Sequence, residues 1–432
     1  RERCWENYII KSIRNEYKVK SPEPNYVLSS LAISDPLYKE QWYVPETGFD
    51  KAWEMTTSQQ SVTVAIVDSG VNAGHPDLKG KILSGFDFVN NDDEAFDDNG
   101  HGTFVAGIIA AASNTIGVKG LYDPARIIPV KVIDENGQGT SEDVSKGIIF
   151  AADHGAKVIN LSIGGYAYSY MLGEAIDYAL EKGCIIVAAG GNDGIEQATY
   201  PAAYADVIGV SAIGNNAEIW SGSNSGRHID VCAPGVNIIS TGKEGNYIYA
   251  SGTSASASMV SALAAMAVSE KPDLSSSAIR TLIFQAAKDL GDEGWDKNYG
   301  NGKIATPAVF EQKIEPFHDV AVRSLHVEPK TFERDKSNYI TVNIENIGTY
   351  QSEKCKVSLY IVIGEEEKLI GDPKPVEVID KTKIVFELGV LNLEENYKFK
   401  AFCLSENDIN NTNNSKITGI FRLKEKDDLY VM

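Results

Sequence analysis

The sequence predicts an α/β fold with a doubly wound, mostly parallel β-sheet, followed by an all-β sandwich domain. Two observations carry this prediction. Up to about residue 310, short continuous apolar runs alternate with helical stretches, which is the pattern of strands buried on both faces of a parallel sheet. Beyond residue 316 the helical signal stops, and apolar residues alternate with polar ones in short segments separated by turn residues.

The apolar runs and helical stretches place the individual elements. Buried strands are predicted at 62–67, 131–133, 157–161 and 184–189, helices at 141–154 and 170–182, and sandwich strands at 339–344, 356–361, 383–388 and 397–402. The change of pattern divides the chain into an N-terminal extension (1–34), an α/β domain (35–312), a linker (313–318) and a β-sandwich domain (319–432).

Length and composition limit the class of protein. A chain of 432 residues predicts two or three domains, and its formal charge of −20 argues against a nucleic-acid partner. No apolar run is long enough to span a bilayer, and residues 1–7 are too polar for a signal peptide, so the chain is cytosolic or has lost a targeting segment. Of the five cysteines, Cys355 and Cys403 lie in strand-like runs and could pair, which the sequence does not decide.

A serine near the start of an alanine-rich run is the first candidate functional residue. Gly252 permits a sharp turn, and the small side chains that follow predict a buried helix with Ser254 at its N-terminus. Unpaired N–H groups at that end would stabilise an oxyanion beside Ser254. Taken alone, however, Ser254 could equally be the cap of a core helix.

Two further residues have the surroundings of catalytic groups. Asp68 directly follows the apolar run 62–67, so it is predicted at the carboxyl end of a strand, where parallel sheets gather their functional groups. An aspartate there could also merely cap the next element. His101 lies between Gly100 and Gly102 at the start of an apolar helix, and flanking glycines suggest a close approach of backbone to the ring.

Asp68, His101 and Ser254 follow one another in the chain order of the subtilisin-like serine peptidases, and the sequence resembles that family. The resemblance implies a sheet of subtilisin-like type and an activity that hydrolyses peptide bonds. It covers roughly residues 35–310 and rests on the stretches 67–71, 75–78, 101–103, 160–165, 191–194, 200–202 and 252–254.

The resemblance implies a role for each of these residues. Ser254 would attack the scissile carbonyl, His101 would take up its proton, and Asp68 would orient the imidazole. Asn192 matches the family's oxyanion-hole asparagine, although the sequence Asn-Asp-Gly is also common in turns. An extended substrate would add a strand between two backbone segments, and its first side chain would enter a pocket. The segments are Gly137, Gln138, Gly139 and Ser162, Ile163, Gly164, and the pocket wall contains Ala189 and Gly190.

The resemblance also implies calcium as a cofactor. A tight site would be formed by oxygen atoms, which suit Ca²⁺, from Asp35, Asp77, Ala112, Asn114, Ile116 and Val118. A weaker site would use the acidic loop that contains Asp87 and Asp92; a solvated acidic loop is the alternative.

The two ends of the chain carry less specific resemblances. Residues 23–29 resemble the last strand of the family's inhibitory propeptide and 34–42 the start of the mature enzyme, which implies an autoprocessed zymogen cut between about Leu28 and Ala32. The alternative is an extension that belongs to the domain. Residues 319–432 resemble a CARDB or fibronectin-type sandwich, which could bind a protein or cell-surface partner or be a spacer.

The function predicted from these resemblances is that of a secreted or cell-surface, calcium-stabilised serine endopeptidase. Two alternatives stay open. One is a catalytically silent relative that holds a peptide without cutting it, and the other is a processing peptidase with a single target.

Overall fold

The structure is a computed structural model that describes residues 35–418, apart from 59, 312, 314, 329–337, 351, 380, 390–397 and 410–412. The described residues belong to one compact unit that begins at Asp35. The predicted extension at 1–34, with its proposed cleavage region, lies outside the described residues.

A parallel sheet of seven strands forms the centre of the fold, with the strand order β2-β3-β1-β4-β5-β6-β7. The chain winds outward from β1 in both directions, which confirms the predicted doubly wound fold. The strands are β1 (Thr63–Asp68), β2 (Phe86–Asp87), β3 (Arg126–Lys131), β4 (Val158–Leu161), β5 (Ile185–Ala189), β6 (Ile208–Ile213) and β7 (Val231–Pro234).

Helices cover both faces of this sheet. In β1, Val64 and Ile66 pack into one core, whereas Ala65 and Val67 pack into a second core on the opposite face. Because every residue in the middle of the strand is buried, its sequence is continuously apolar. The helices are α1 (Tyr43–Thr47), α2 (Phe49–Met55), α3 (His101–Ala110), α4 (Ser141–Asp153), α5 (Tyr170–Glu181), α6 (Thr253–Glu270), α7 (Ser276–Ala286) and α8 (Thr306–Glu311), with short 3₁₀ helices at Pro36–Glu40 and Pro76–Leu78.

Helix α6 is buried along almost its whole length. Its alanines and serines are small enough to let the helix lie close to the sheet, and the buried hydroxyls find partners. Ser256 Oγ donates to Ala233 O at 2.9 Å, and Ser261 Oγ donates to Asn160 Oδ1 at 2.9 Å. These bonds remove the cost of burying polar groups, so a serine-rich helix can serve as a core element.

The C-terminal part is an antiparallel sandwich, as predicted. One sheet has the order β10-β11-β14 and the other β13-β12-β15-β16, and residues of both sheets form one apolar core. Cys355 and Cys403 are buried in that core as free thiols. The sandwich strands are β10 (Val320–Glu328), β11 (Asn338–Asn346), β12 (Glu353–Ile363), β13 (Glu366–Val378), β14 (Lys381–Gly389), β15 (Lys398–Leu404) and β16 (Ser415–Ile417).

A separate antiparallel hairpin precedes α6 in the chain and consists of β8 (Ile238–Thr241) and β9 (Tyr247–Ala250).

Buried ion pairs connect the sandwich to the parallel-sheet part. The Asp206 carboxylate accepts Arg280 Nη1 and Arg323 Nη1, each at 2.7 Å, where Arg280 lies on α7 and Arg323 on β10. All three residues are less than a tenth exposed. Breaking a buried pair leaves an uncompensated charge, so these contacts hold the sandwich in one position. None of the helices in the described part of the chain is long and apolar enough to cross a membrane.

Candidate active site

The predicted catalytic residues meet in one cleft at the carboxyl end of the parallel sheet. Asp68 is the last residue of β1, His101 is the first residue of α3, and Ser254 is the second residue of α6. Asn192 lies in the loop after β5. All four line the same cleft of about 660 Å³. The fold therefore brings together residues that are far apart in the sequence.

The His101 imidazole is held by the Asp68 carboxylate. His101 Nδ1 lies 2.7 Å from Asp68 Oδ1, which also accepts the backbone N–H of Ser69 at 2.8 Å. Asp68 is 1% exposed, and within the described part of the chain its second oxygen, Oδ2, is buried without a hydrogen-bond partner. Packing around the ring lowers the pKa of His101, but the charge and hydrogen bond of Asp68 and the charge of Asp97 outweigh this effect and leave the pKa above its ordinary value.

The Ser254 hydroxyl lies at the N-terminal end of α6 and is paired with the neighbouring cleft wall. Ser254 Oγ donates to Ser162 O at 3.1 Å, and Ser162 Oγ donates back to Ser254 O at 3.1 Å. A rotation about the Cα–Cβ bond of Ser254 would turn its hydroxyl away from Ser162. The side chain could then present its proton to another acceptor in the cleft.

The Asn192 side chain is oriented by the residue before Ser254. Its Oδ1 accepts both the backbone N–H and the hydroxyl of Thr253, each at 2.9 Å. With Oδ1 committed to the start of α6, the Nδ2 group is left as the donor of the amide. The Asn192 amide and the backbone N–H of Ser254 therefore lie at the same end of the helix.

Both predicted substrate segments line the cleft, namely Gly137, Gln138 and Gly139 and Ser162, Ile163 and Gly164. Ala189 and Gly190 are buried at the end of β5, where the Gly190 N–H donates to Val210 O at 2.9 Å. A second lobe of about 500 Å³ extends from His101 and Ser254 toward Lys243 and Ile248.

A buried aspartate that the sequence interpretation placed only in an acidic loop organises the start of α3. Asp97 is fully buried and accepts Ser69 Oγ at 2.8 Å, Gly100 N at 2.6 Å, Thr103 N at 2.8 Å and Thr103 Oγ1 at 2.6 Å. It therefore fixes both the residue after Asp68 and the first turn of the helix that carries His101. Its position just before that helix is the signal of a capping residue.

Lys131 is a second residue that sequence reasoning missed. It ends β3 beside Asp68, its side chain is 1% exposed, and its ammonium group is bound by three acceptors. These are Asp98 Oδ1 at 2.6 Å, Ser69 O at 3.1 Å and Ile133 O at 2.8 Å. The sequence interpretation placed Lys131 at the start of a strand at 131–133, whereas the structure ends β3 at Lys131.

The predicted calcium residues are brought together in part. Asp77 accepts Asn114 Nδ2 and Val118 N, each at 3.0 Å, and Asp35 accepts Asn114 N at 3.0 Å. Ala112 and Ile116 lie in the same loop, where Ala112 N donates to Asp77 O at 2.8 Å. Burial raises the pKa of the Asp77 carboxyl.

The acidic loop before His101 uses its carboxylates to hold turns. Asp87 Oδ1 accepts Val89 N at 2.7 Å and Asn90 N at 2.9 Å, and Asp92 Oδ1 accepts Glu94 N at 2.9 Å. Among the residues that the structure describes, no group of three or more His, Cys, Asp or Glu side chains is arranged to hold a metal ion.

Comparison with known proteins agrees with this geometry. Residues 59–302 match the model of the subtilase family. The chain is 40% identical over 295 residues to a thermophilic serine proteinase of Bacillus sp. (strain AK1), covering 68% of this chain and 73% of that protein. It is 40% identical over 272 residues to thermitase of Thermoactinomyces vulgaris and 37% identical over 269 residues to subtilisin DY of Bacillus licheniformis. These two matches cover 62% and 61% of this chain and 96% of each relative.

Fold, cleft and relatives together define a serine endopeptidase with an α/β fold. The chain belongs to the subtilase family, and its enzyme class is that of the subtilisin-like serine endopeptidases.

Proposed function

We propose that the chain cleaves extended polypeptides through an acyl-enzyme formed on Ser254. The Ser254 Oγ attacks the carbonyl carbon while His101 takes up the hydroxyl proton and later gives it to the leaving amine. A water molecule, whose proton His101 takes up, then attacks the acyl carbon. The bond to Ser254 Oγ breaks, His101 returns the proton to Oγ, and the acid is released. The observation that carries the proposal is the 2.7 Å contact between Asp68 and His101 in the same cleft as a serine at a helix N-terminus.

Two donors would stabilise the tetrahedral intermediate of this reaction. The Asn192 Nδ2 group and the Ser254 N–H would donate hydrogen bonds to the carbonyl oxygen as negative charge develops on it. The contacts of Asn192 Oδ1 with Thr253 support this role, because they orient the amide before substrate arrives. The substrate backbone would pair with the extended backbone segments 137–139 and 162–164 on the acyl side of the cleaved bond. The leaving segment would occupy the lobe near Lys243.

A fluorophosphonate probe tests the proposal directly. Intact mass after treatment is expected to show one label per chain, and no label on Ser254→Ala. A chain whose Ser254 is never labelled at any pH, even after removal of residues 1–34, would be a catalytically silent relative. Digestion of unfolded casein separates a general endopeptidase from a processing peptidase, which would cut only one particular peptide.

The pH dependence of kcat/KM is expected to follow His101. The imidazole must be neutral to accept the serine proton, so activity should rise with pH through its pKa. Because that pKa is raised, the midpoint should lie above about 6.5. Asp97→Asn removes one of the charges that raise it, so its midpoint should move to lower pH. A pH profile of kcat/KM checks this, with exposed Asp292→Asn as the control; a shift to higher pH would contradict it.

We further propose that calcium stabilises the fold at the loop that joins Asp35, Asp77 and Asn114. The donor set fits Ca²⁺ because it consists of carboxylate, amide and carbonyl oxygens, and because Asp77 is a buried carboxylate without a cationic partner among the described residues. Bound calcium would neutralise that charge and tie the N-terminal segment to the loop.

Removal of calcium is therefore expected to destabilise the enzyme. At a free calcium concentration 100 times the dissociation constant, one site contributes about 2.7 kcal/mol to the free energy of unfolding. Thermal unfolding with calcium and with EGTA should show this difference in the unmodified chain and lose it in Asp77→Asn. Asp87→Asn, in the acidic loop, tests the weaker site. Equal Tm values of the unmodified chain in both buffers would exclude the proposal.

We also propose that residues 1–34 are a propeptide that inhibits the enzyme, that 35–312 are the catalytic domain, and that 319–432 are a sandwich domain joined by the linker 313–318. We also propose that the enzyme is secreted or held at the cell surface, as the resemblance to the subtilisin-like family implies. Incubation of the active chain should release a segment that ends between about Leu28 and Ala32, which mass spectrometry would detect. Survival of Arg1 on the active enzyme would rule out this processing.

A further inference from the structure

An aromatic ridge borders the cleft beyond Gly165. Tyr166, Tyr168 and Met171 are 41%, 46% and 44% exposed, although all three are large and mostly apolar. They lie within six residues of one another, directly after the cleft wall formed by 162–164. A concentration of exposed apolar side chains beside a cleft is typical of a binding surface.

Within the ridge, Tyr168 is fixed by contacts with neighbouring tyrosine rings. The Tyr168 ring centroid lies 4.9 Å from that of Tyr170, 5.4 Å from that of Tyr200 and 5.4 Å from that of Tyr204. The Tyr204 hydroxyl donates to Ser169 O at 2.6 Å and accepts Ser169 N at 3.1 Å. The exposed face of Tyr168 is therefore held in place, so it can bind a partner without losing much conformational freedom.

Behind the ridge lies a second groove of about 270 Å³, which we call the side groove. One wall consists of Tyr168, Tyr200 and Tyr204, and the opposite wall is the outer face of the sandwich with Glu367 and Lys400. Tyr200 also lines the main cleft, and its backbone exchanges two hydrogen bonds of 2.8 Å with Gly165. Tyr200 therefore borders both the side groove and the main cleft.

The charges of the side groove are already paired. Lys400 Nζ binds Glu367 Oε1 at 2.8 Å, Lys416 binds Asp177, and Arg323 Nη1 binds Asp206 Oδ2 at 2.7 Å. No wall therefore offers a strong net charge to an ionic ligand. The tyrosine rings that line the groove can still bury apolar surface against a ligand, so the ligand should be apolar or aromatic.

The position of Ser254 gives the direction in which a substrate would reach the groove. Ser254 is bonded to Ser162, so the cleaved bond lies at that end of the wall. From there the wall runs through Gly164 and Gly165 to the ridge. A substrate strand paired with 162–164 on the acyl side would therefore point its N-terminal continuation toward Tyr168.

We propose that the side groove binds an apolar or aromatic side chain of the substrate, on the N-terminal side of the residues that fill the main cleft. This inference rests on the proposed peptidase function. It makes the sandwich part of the substrate-binding surface, with Glu367 and Lys400 as the outer wall. The buried pairs between Asp206, Arg280 and Arg323 hold that wall in position.

Peptide length and side-chain type test the inference on the full chain. Three fluorogenic peptides share the same four residues on the acyl side of the cleaved bond. The short peptide has only these four residues, and the two long peptides carry four more at the N-terminal end. In one long peptide the added residues include Phe and Leu, and in the other they are Gly and Ser. The apolar extension is expected to raise kcat/KM by about tenfold over the short peptide, and the Gly-Ser extension is expected to have no effect.

Two variants from opposite walls should abolish the gain. Tyr168→Ala removes the aromatic face, and Glu367→Ala with Lys400→Ala removes the outer wall without leaving an unpaired charge or touching the main cleft. Tyr339→Ala and the exposed pair Asp153→Ala with Lys182→Ala are matched controls that should keep the gain. The ratio of long to short peptide is the readout, so a general loss of activity in Tyr168→Ala does not affect it.

An equal gain in all variants, or no gain in the unmodified chain while the short peptide is cut, would overturn the inference and leave the proposed function standing. Failure to cut the short peptide would overturn the proposed function and the inference with it.

Discussion

Ser254→Ala is expected to lower kcat by about 10⁶-fold, a magnitude measured in subtilisin itself, a relative of this chain. The substitution removes the only atom of the side chain that can form the acyl-enzyme, whereas the oxyanion donors and the cleft remain. Substrate should therefore still bind. Single-turnover and steady-state assays on a casein-derived peptide would measure the loss, and intact mass would show that no acyl-enzyme accumulates.

A serine on the same helix provides the matched control. Ser258 lies one turn after Ser254 and donates to Ser254 O at 2.7 Å, so Ser258→Ala removes a buried hydroxyl of the same kind. Ser258→Ala should keep kcat within about twofold and lower the free energy of unfolding by about 1 kcal/mol. A Ser254→Ala enzyme with more than about a thousandth of the normal kcat would argue against Ser254 as nucleophile.

Asp68→Asn is expected to lower kcat by about 10⁴-fold, the loss seen when other serine proteases lose the triad carboxylate. In the proposed mechanism, Asp68 stabilises the imidazolium and holds its tautomer through the 2.7 Å contact to His101 Nδ1. A neutral amide cannot supply that charge. With its NH₂ group at the position of Oδ1, the amide would face the Ser69 N–H donor and could not accept from His101 Nδ1. With its NH₂ group at the position of Oδ2, the amide would bury a donor that has no acceptor among the described residues.

The pH profile of Asp68→Asn distinguishes an electrostatic role from a loss of folding. Because Asp68 raises the pKa of His101, its neutralisation should move the acid limb of kcat/KM to lower pH. A partly unfolded variant would lose activity without that shift and would show a lower Tm. Asp292→Asn, an exposed change of the same type, should leave both rate and profile unaltered. A loss of less than about tenfold would refute the assigned role.

The fold class could be predicted because burial leaves a direct mark on sequence. A strand covered on both faces, such as Thr63–Asp68, is continuously apolar, whereas a sandwich strand such as Glu353–Ile363 alternates. The glycines around His101 and the small residues of α6 were equally local signals. These patterns depend on neighbours within a few residues, so they are visible without the fold.

Other features depend on contacts between distant segments. The position of Asp97 before α3 hints at a capping role, but its burial and its bonds to Ser69 and the start of α3 are visible only in the fold. The pairing of Arg323 with Asp206 joins residues more than a hundred positions apart. No local pattern records such a pair, because either residue alone has the sequence context of an ordinary surface charge.

The order Asp68, His101, Ser254 and the short motifs around these residues carried the resemblance to the subtilisin-like peptidases, and that resemblance implied the reaction. It was visible in the sequence because nucleophile, base and carboxylate each need a chemical type and a backbone setting that a short motif contains. The surroundings that act on those groups became apparent only in three dimensions. Asp97 and Lys131 beside the triad, and the sandwich wall beside the aromatic ridge, exert their effects through distance and burial. Both quantities are set by how the whole chain packs.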